Sequence, residues 1–217
     1  MNCGKSFICR QLITNLNKVC FFERNPIETE IVMVTKSKES SDEMDEICKK
    51  NKFKYSWWKI IHLQSMFTLL KETNEQKHYI MILEDMSADV NKLNSVFNSK
   101  MIDFLYRSRH HNISMIYFVH GIVHSMTRKG SFERAFLDNS NALIIFKPIS
   151  QKKAIYNYLR NFFNKETFQH MDEVFELSSK IQSHPYILIQ PNKNFRDELS
   201  KIRIDIFNHN LFLKSGI

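Results

Sequence analysis

The amino-acid sequence predicts an α/β fold in which a mainly parallel sheet is flanked by helices. Short apolar runs typical of buried strands recur along the chain, and between them lie segments whose apolar residues are spaced as on one helix face. The length of 217 residues, with 43% hydrophobic residues, predicts a single domain with a substantial core.

The first half of the chain alternates between helical and strand-like segments. Apolar residues at positions 8, 12, 13 and 16 predict a helix that follows Ser6, and the β-branched run 30–35 predicts a buried strand. The charged segment 40–54 has apolar residues at helical spacing and predicts a surface helix, and 63–70 predicts a short one. The apolar run 79–83 is the clearest buried strand.

The second half continues the pattern. Helical spacing over 91–107 is followed by apolar runs at 114–119 and 142–146, which predict two further strands of the core domain, residues 1–150. The remainder, 151–217, is expected to complete the domain with four elements. These are helices over 152–163 and 167–178 and short strands over 186–189 and 202–206, which can pair as a hairpin.

Composition narrows the class of protein. Basic residues outnumber acidic ones by 31 to 23, and the net charge of +8 favours a polyanionic partner, although a generic basic domain has the same balance. No apolar stretch approaches the roughly 18 residues of a membrane span, and the N-terminus lacks the layout of a signal peptide. We therefore expect no membrane span and no signal peptide. Four cysteines without CxxC spacing predict free thiols in a reducing compartment.

Gly4-Lys5-Ser6 before a predicted helix matches the second half of a phosphate-binding loop. In such a loop, backbone N–H groups at the helix start bind phosphate, the lysine contacts the β- and γ-phosphates, and the serine ligates Mg²⁺. An ordinary N-terminal turn has the same three residues. The first glycine of the motif and its preceding strand would lie before residue 1, so we expect the N-terminal strand to be missing.

Glu84-Asp85 ends the strand predicted over 79–83. In a Walker B motif, one such carboxylate supports the Mg²⁺ shell and the other polarises the attacking water. An acidic helix N-cap is the alternative. Because the acidic pair follows a Gly-Lys-Ser segment in the chain, the catalytic interpretation is favoured.

A third group of polar residues surrounds the predicted strand 114–119. His120 follows that strand at a place where a side chain can sense the γ-phosphate, and Arg107 or Arg109 could act as an arginine finger in a neighbouring subunit. A solvated basic turn is the simpler interpretation of the arginines. The adjacent His110 and His111 lack a third ligand at suitable spacing, which disfavours a metal site.

The order of these motifs resembles that of packaging ATPases of the FtsK–HerA superfamily, in the poxvirus-type branch. Its nearest likeness is to the ATPases of Polinton (Maverick) elements, adintovirus-like viruses and virophages. The most specific segment is the His-His-x-Ile-Ser-x-Ile pattern of residues 110–116, within the matching stretch 109–116. Other matching segments are 3–7, 83–86, 134–140, 146–148 and 185–189. The pattern departs from the family at three points: the first half of the phosphate loop, Glu84 in place of Asp, and His120 in place of Gln.

The resemblance implies a RecA-like P-loop ATPase that forms a homo-oligomeric ring and pumps double-stranded DNA into a capsid, without sequence preference. It implies contact with capsid portal or vertex proteins, and an intracellular location at the site of virion assembly, in cytoplasm or nucleus. The implied ATP- and Mg²⁺-binding residues are Cys3, Gly4, Lys5, Ser6 and Phe7, with Ser6 and Glu84 at the metal. The implied catalytic residues are Glu84, Asp85, His120 and Arg109.

Two other interpretations stay open. An inactive, basic DNA-binding or ring-scaffold remnant of such an ATPase is favoured by the missing half of the phosphate loop, which also indicates N-terminal truncation or gene decay. Another P-loop NTPase, such as a helicase-like protein or a nucleotide kinase, is the second, although no arginine-rich lid of a kinase is evident. Several scattered Lys and Arg residues could contact DNA phosphates, or could form a solvated face.

Overall fold

The computed structural model describes just over half of the chain. The described residues are 5–16, 28–59, 77–84, 95–108, 110–119, 132–140, 143–146, 150, 152–159, 175–176, 180, 186–190 and 203–207. They belong to two compact units, one built on a parallel sheet and the other on an antiparallel sheet.

The first unit contains a four-stranded parallel sheet. Its strands are β1 (Glu28–Val34), β2 (Lys54–Trp58), β3 (Lys77–Leu83) and β4 (Ile113–Tyr117), in the spatial order β2-β1-β3-β4. Val34 is in register with both Trp58 and Leu83, and Leu83 with Tyr117. All four strands therefore end at the same edge of the sheet, and the residues that follow them are neighbours.

Helices cover both faces of this sheet. They are α1 (Lys5–Asn15), α2 (Lys38–Lys50), α3 (Ser95–Ser108) and α4 (Phe132–Asn139), of which α1 belongs to the unit from Ser6 onward and α4 with its first five residues. Alternate residues of β1 and β3 face opposite sides. One side packs on α1 and α2 through Ile31, Met33, Ile80, Ile82, Cys9, Ile13, Met44 and Cys48. The other packs on α3 and α4 through Val32, Val34, Tyr79, Met81, Leu83, Met101, Phe104 and Phe132. Burial on both faces explains the uninterrupted apolar runs of β1 and β3.

Local hydrogen bonds fix the ends of α2. The Ser37 hydroxyl caps the N-terminus by accepting from the Ser40 N–H at 3.1 Å, and the Asn51 side chain donates to the Ile47 carbonyl at 2.9 Å. Met44 and Cys48 face the sheet, whereas Asp45 and Lys49 form an ion pair on the outer side. The helix thus forms despite its high charge, because a single apolar stripe is buried.

The second unit contains a three-stranded antiparallel sheet. Its strands are β5 (Leu143–Phe146), β6 (Tyr186–Gln190) and β7 (Arg203–Phe207), in that spatial order, and α5 (Lys152–Leu159) belongs to the same unit. Ala154 and Ile155 are buried on α5, and the ring of Tyr156 contacts that of Phe175 at 5.6 Å.

The α/β class and the parallel sheet expected from the sequence are confirmed. Every predicted strand is present, and the two short C-terminal strands pair antiparallel as expected. Two elements were missed, β2 and α4. The strand predicted over 142–146 as part of the core lies in the antiparallel sheet. The helix predicted over 63–70 lies outside the described residues, as does that over 167–178 except for residues 175 and 176. Among the helices that are described, none is long and apolar enough to cross a bilayer.

Candidate functional site

A buried carboxylate lies at the edge of the parallel sheet where the strands end. Glu84 directly follows β3, and its N–H donates to the Val34 carbonyl at 3.0 Å, which extends the β1–β3 ladder by one bond. Its side chain is only 6% exposed. Burying a carboxylate destabilises the folded state unless its oxygens accept hydrogen bonds. The donors around Glu84 therefore have to compensate for its burial.

Two hydroxyl groups satisfy this carboxylate. Ser6 Oγ donates to Glu84 Oε1 at 3.2 Å, and Thr35 Oγ1 donates to Glu84 Oε2 at 3.1 Å. Thr35 follows β1, which is the neighbour of β3 in the sheet. Each carboxylate oxygen thus has one donor, and the donors come from different elements.

Helix α1 brings Ser6 to this edge. The helix begins at Lys5, and its buried residues Cys9 and Ile13 pack on the sheet, with its second residue, Ser6, at the end of the sheet where Glu84 is found. Leu12, which the apolar spacing also included, is 39% exposed. The first N–H groups of a helix have no intrahelical acceptor and can donate to an anion.

A small pocket opens beside the Ser6–Glu84 pair. Among its lining residues are Ser6, Glu84, Ser40 and Arg10, from α1, α2 and the residue after β3. Arg10 forms an ion pair with Glu43 of α2. The other half of the lining is less polar, namely Cys9, Met33, Met44 and Phe118, and the pocket has room for about one water molecule.

The cysteine in this pocket is not a nucleophile at neutral pH. Burial, with a smaller contribution from the nearby negative charge of Glu84, raises the pKa of the Cys9 thiol to about 12. Burial, with the charge of Asp45, raises the pKa of Cys48 to about 12 as well. Both are free thiols and stay protonated, and only the thiolate reacts readily.

The donor set at Glu84 is that of a hard cation. A carboxylate and hydroxyl oxygens suit Mg²⁺, which prefers oxygen ligands and keeps several waters. Ser6 and Glu84 are thus ligand types that Mg²⁺ accepts, and they are the two side chains that would hold it; the Mg²⁺ site stays a prediction. Within the part of the chain that is described, no group of three or more His, Cys, Asp or Glu residues could hold a metal ion.

The structure describes four of the site residues expected from the sequence. Ser6 and Glu84, 78 residues apart in the chain, are hydrogen-bonded to each other. Lys5 and Phe7 flank Ser6 in the first turn of α1, and both are half-buried. The other five expected residues, Cys3, Gly4, Asp85, Arg109 and His120, lie outside the described residues.

Thr35 is a site residue that the sequence analysis missed. It was included only as the last residue of a strand. The signal for it was nevertheless present, because a polar residue directly after a buried run marks the edge where Glu84 was also found.

Backbone hydrogen bonds shape the turn between α3 and β4, which carries the paired histidines. The His110 and His111 N–H groups donate to the carbonyls of Arg107 and Ser108, and Asn112 has a φ of 51° before β4. Arg107 itself pairs with Asp103 at 3.0 Å on the exposed side of α3. These contacts favour the solvated-turn interpretation for Arg107.

Comparisons of the chain with protein-family models, with curated proteins and with solved structures found no match.

Proposed function

We propose that this chain binds ATP with Mg²⁺ at the carboxyl edge of its parallel sheet, hydrolyses it, and uses the energy to move double-stranded DNA into a capsid. The hydrogen bond between Ser6 and Glu84 is the observation that carries the proposal. An ordinary helix could also pack on this sheet through Cys9 and Ile13, as α1 does, and what favours a phosphate loop is that Ser6 in particular meets Glu84. A phosphate loop and a Walker B strand must meet, because both contribute to one Mg²⁺–nucleotide site.

Each residue then has a role that its position supports. Lys5, the first residue of α1, would contact the terminal phosphates, together with N–H groups of the helix start. Ser6 and Glu84 would hold Mg²⁺, which neutralises phosphate charge when bound. Each oxygen of the Glu84 carboxylate accepts one hydrogen bond from a hydroxyl, which fixes its place at the sheet edge.

The remaining assignments rest on the family resemblance. Asp85 would accept a proton from the attacking water, His120 would sense the γ-phosphate, and Arg109 would act across a subunit boundary in a homo-oligomeric ring. The net charge of +8 and the exposed Lys152 and Lys153 support contact with DNA phosphates, which is independent of sequence. Capsid portal or vertex proteins would be further partners.

One observation favours a second candidate, an inactive DNA-binding or ring-scaffold protein. Both oxygens of Glu84 already accept hydrogen bonds from the chain itself, so the carboxylate is satisfied without a cation. Such a protein would bind duplex DNA but neither bind nor hydrolyse ATP.

Steady-state ATP hydrolysis by the full chain, with and without double-stranded DNA, tests the proposal. We expect turnover that rises when DNA is added and that is lost in Ser6→Ala. Ser108→Ala is the matched control, because its buried hydroxyl donates to the Leu105 carbonyl on α3. Folded wild-type protein that binds DNA but does not hydrolyse ATP would support the scaffold instead.

A further inference from the structure

Thr35 lies between the edge strand β2 and the carboxylate of Glu84. Its N–H donates to the Trp58 carbonyl at 3.3 Å, and its own carbonyl accepts from Trp57 Nε1 at 3.1 Å. Thr35 is 1% exposed. Its backbone is therefore held on both sides by the end of β2, and its β-branched side chain has little freedom at χ1.

The hydrogen bonds of the Thr35 hydroxyl have a defined direction. Oγ1 accepts from the Ser37 N–H at 3.1 Å, and lies 3.1 Å from Glu84 Oε2. A hydroxyl has one proton, and a carboxylate can only accept. The proton of Thr35 is therefore directed at Oε2, while the turn between β1 and α2 supplies the donor behind it.

The two hydroxyls around Glu84 are not equivalent. Ser6 and Glu84 line the pocket, whereas Thr35 is not among the described residues that do so. Ser6 is half-buried and can turn toward a ligand, but Thr35 is enclosed. Thr35 thus contacts Oε2 from the enclosed side, whereas Ser6, which contacts Oε1, lines the pocket together with Glu84.

We propose that Thr35 is a positioning residue that holds Glu84 in the orientation required to bind a divalent cation together with nucleotide. This inference rests on the proposed function and assigns a role within the same site. Thr35 sets the affinity for the cation, because within the site it contacts only the Glu84 carboxylate. The affinity for nucleotide in the absence of a cation does not depend on it.

The test compares Thr35→Val with Thr35→Ser. Valine keeps the shape and removes the hydroxyl, whereas serine keeps the hydroxyl. Thr29→Val is the control, since Thr29 is another buried threonine of β1, at the far end of the strand from Glu84. The readout is fluorescence of a mant-ATP probe, titrated with Mg²⁺ and, separately, measured in excess EDTA.

We expect the Mg²⁺ concentration for half-maximal enhancement of mant-ATP binding to rise about tenfold in Thr35→Val, the scale of one hydrogen bond to a charged group. Thr35→Ser and Thr29→Val should stay within about twofold of wild type. Binding in EDTA should be equal in all four proteins.

Two results would overturn the inference alone: an unchanged Mg²⁺ requirement in folded Thr35→Val, or an equal loss of binding with and without Mg²⁺. If Thr35→Val fails to fold, Thr35→Ala, which also removes the hydroxyl, takes its place, and an unchanged Mg²⁺ requirement in that protein equally contradicts the inference. Wild-type protein that binds no mant-ATP at any Mg²⁺ concentration would instead remove the proposed function, and the inference with it.

Discussion

Replacing Glu84 by glutamine separates its structural role from its proposed chemical role. Glutamine has the same length and can keep both contacts: its amide oxygen can accept from Thr35, and its amide nitrogen can donate to Ser6 Oγ. Only the negative charge is lost. A structural carboxylate tolerates this change, whereas a cation ligand does not.

The expected stability effects follow from the burial of these groups. In Glu84→Gln, weaker neutral hydrogen bonds are offset by the removal of a buried charge, so the free energy of unfolding should change by no more than about 1 kcal/mol. Glu84→Ala leaves the enclosed Thr35 hydroxyl without its acceptor, which costs about 1–3 kcal/mol. For a chain of this size, each 1 kcal/mol lowers Tm by about 2–4 °C.

The assay is Mg²⁺-dependent ATP binding and turnover, measured beside Tm on the same preparations. Both Glu84 variants should lose Mg²⁺-dependent binding, although only Glu84→Ala should melt several degrees lower. Glu133→Gln is the matched control. Glu133 is 4% exposed and accepts from the Tyr117 hydroxyl at 2.9 Å, on the side of the sheet that packs on α3 and α4. The Tyr117 ring there contacts those of Phe132 and Phe136. Normal turnover in a folded Glu84→Gln protein would refute the cation-ligand role.

Three further predictions follow from other groups. Asp85→Asn should keep ATP binding and lower turnover by about 10²-fold or more, the scale of a lost general base, in a single-turnover assay; unchanged hydrolysis would reassign Asp85 to a capping role. Since burial raises the pKa of Cys9 and Cys48 to about 12 from a value of 9.0, the fold favours their protonated forms. That stabilisation is complete below pH 9 and is lost as the pH rises toward 12, so urea unfolding under reductant should show stability falling above pH 9, and less steeply in a Cys9→Ala, Cys48→Ala double variant. Affinity for duplex DNA should fall steeply with salt and differ little between sequences, as fluorescence anisotropy would measure; strong sequence discrimination would contradict the motor.

Strands β1 and β3 could be predicted because both of their faces are buried, which leaves uninterrupted apolar runs in the sequence. β2 could not, since it is a half-buried edge strand whose residues Lys54 to Trp58 mix polar and aromatic types without a clear alternation. α4 was missed although Phe132, Phe136 and Leu137 have helical spacing, so the signal for this helix was present in the sequence.

The candidate site was predictable in part for a similar reason. Ser6 and Glu84 belong to short patterns whose chemistry is known, and the structure brings them to hydrogen-bonding distance. Thr35 belongs to no such pattern. Its role depends on the parallel pairing of β1 with β3, which places the residues after Val34 and Leu83 side by side, and that register is a property of the sheet and not of either segment.

The central claim is that Ser6 and Glu84 hold the cation of a bound nucleotide. Its most direct test is a crystal structure of the chain with Mn²⁺, which replaces Mg²⁺ and scatters anomalously, and a non-hydrolysable ATP analogue. We expect one anomalous peak within ligand distance of Ser6 Oγ, beside the Glu84 carboxylate, with the terminal phosphates at the start of α1. A nucleotide bound elsewhere, or a peak away from both residues, would contradict it.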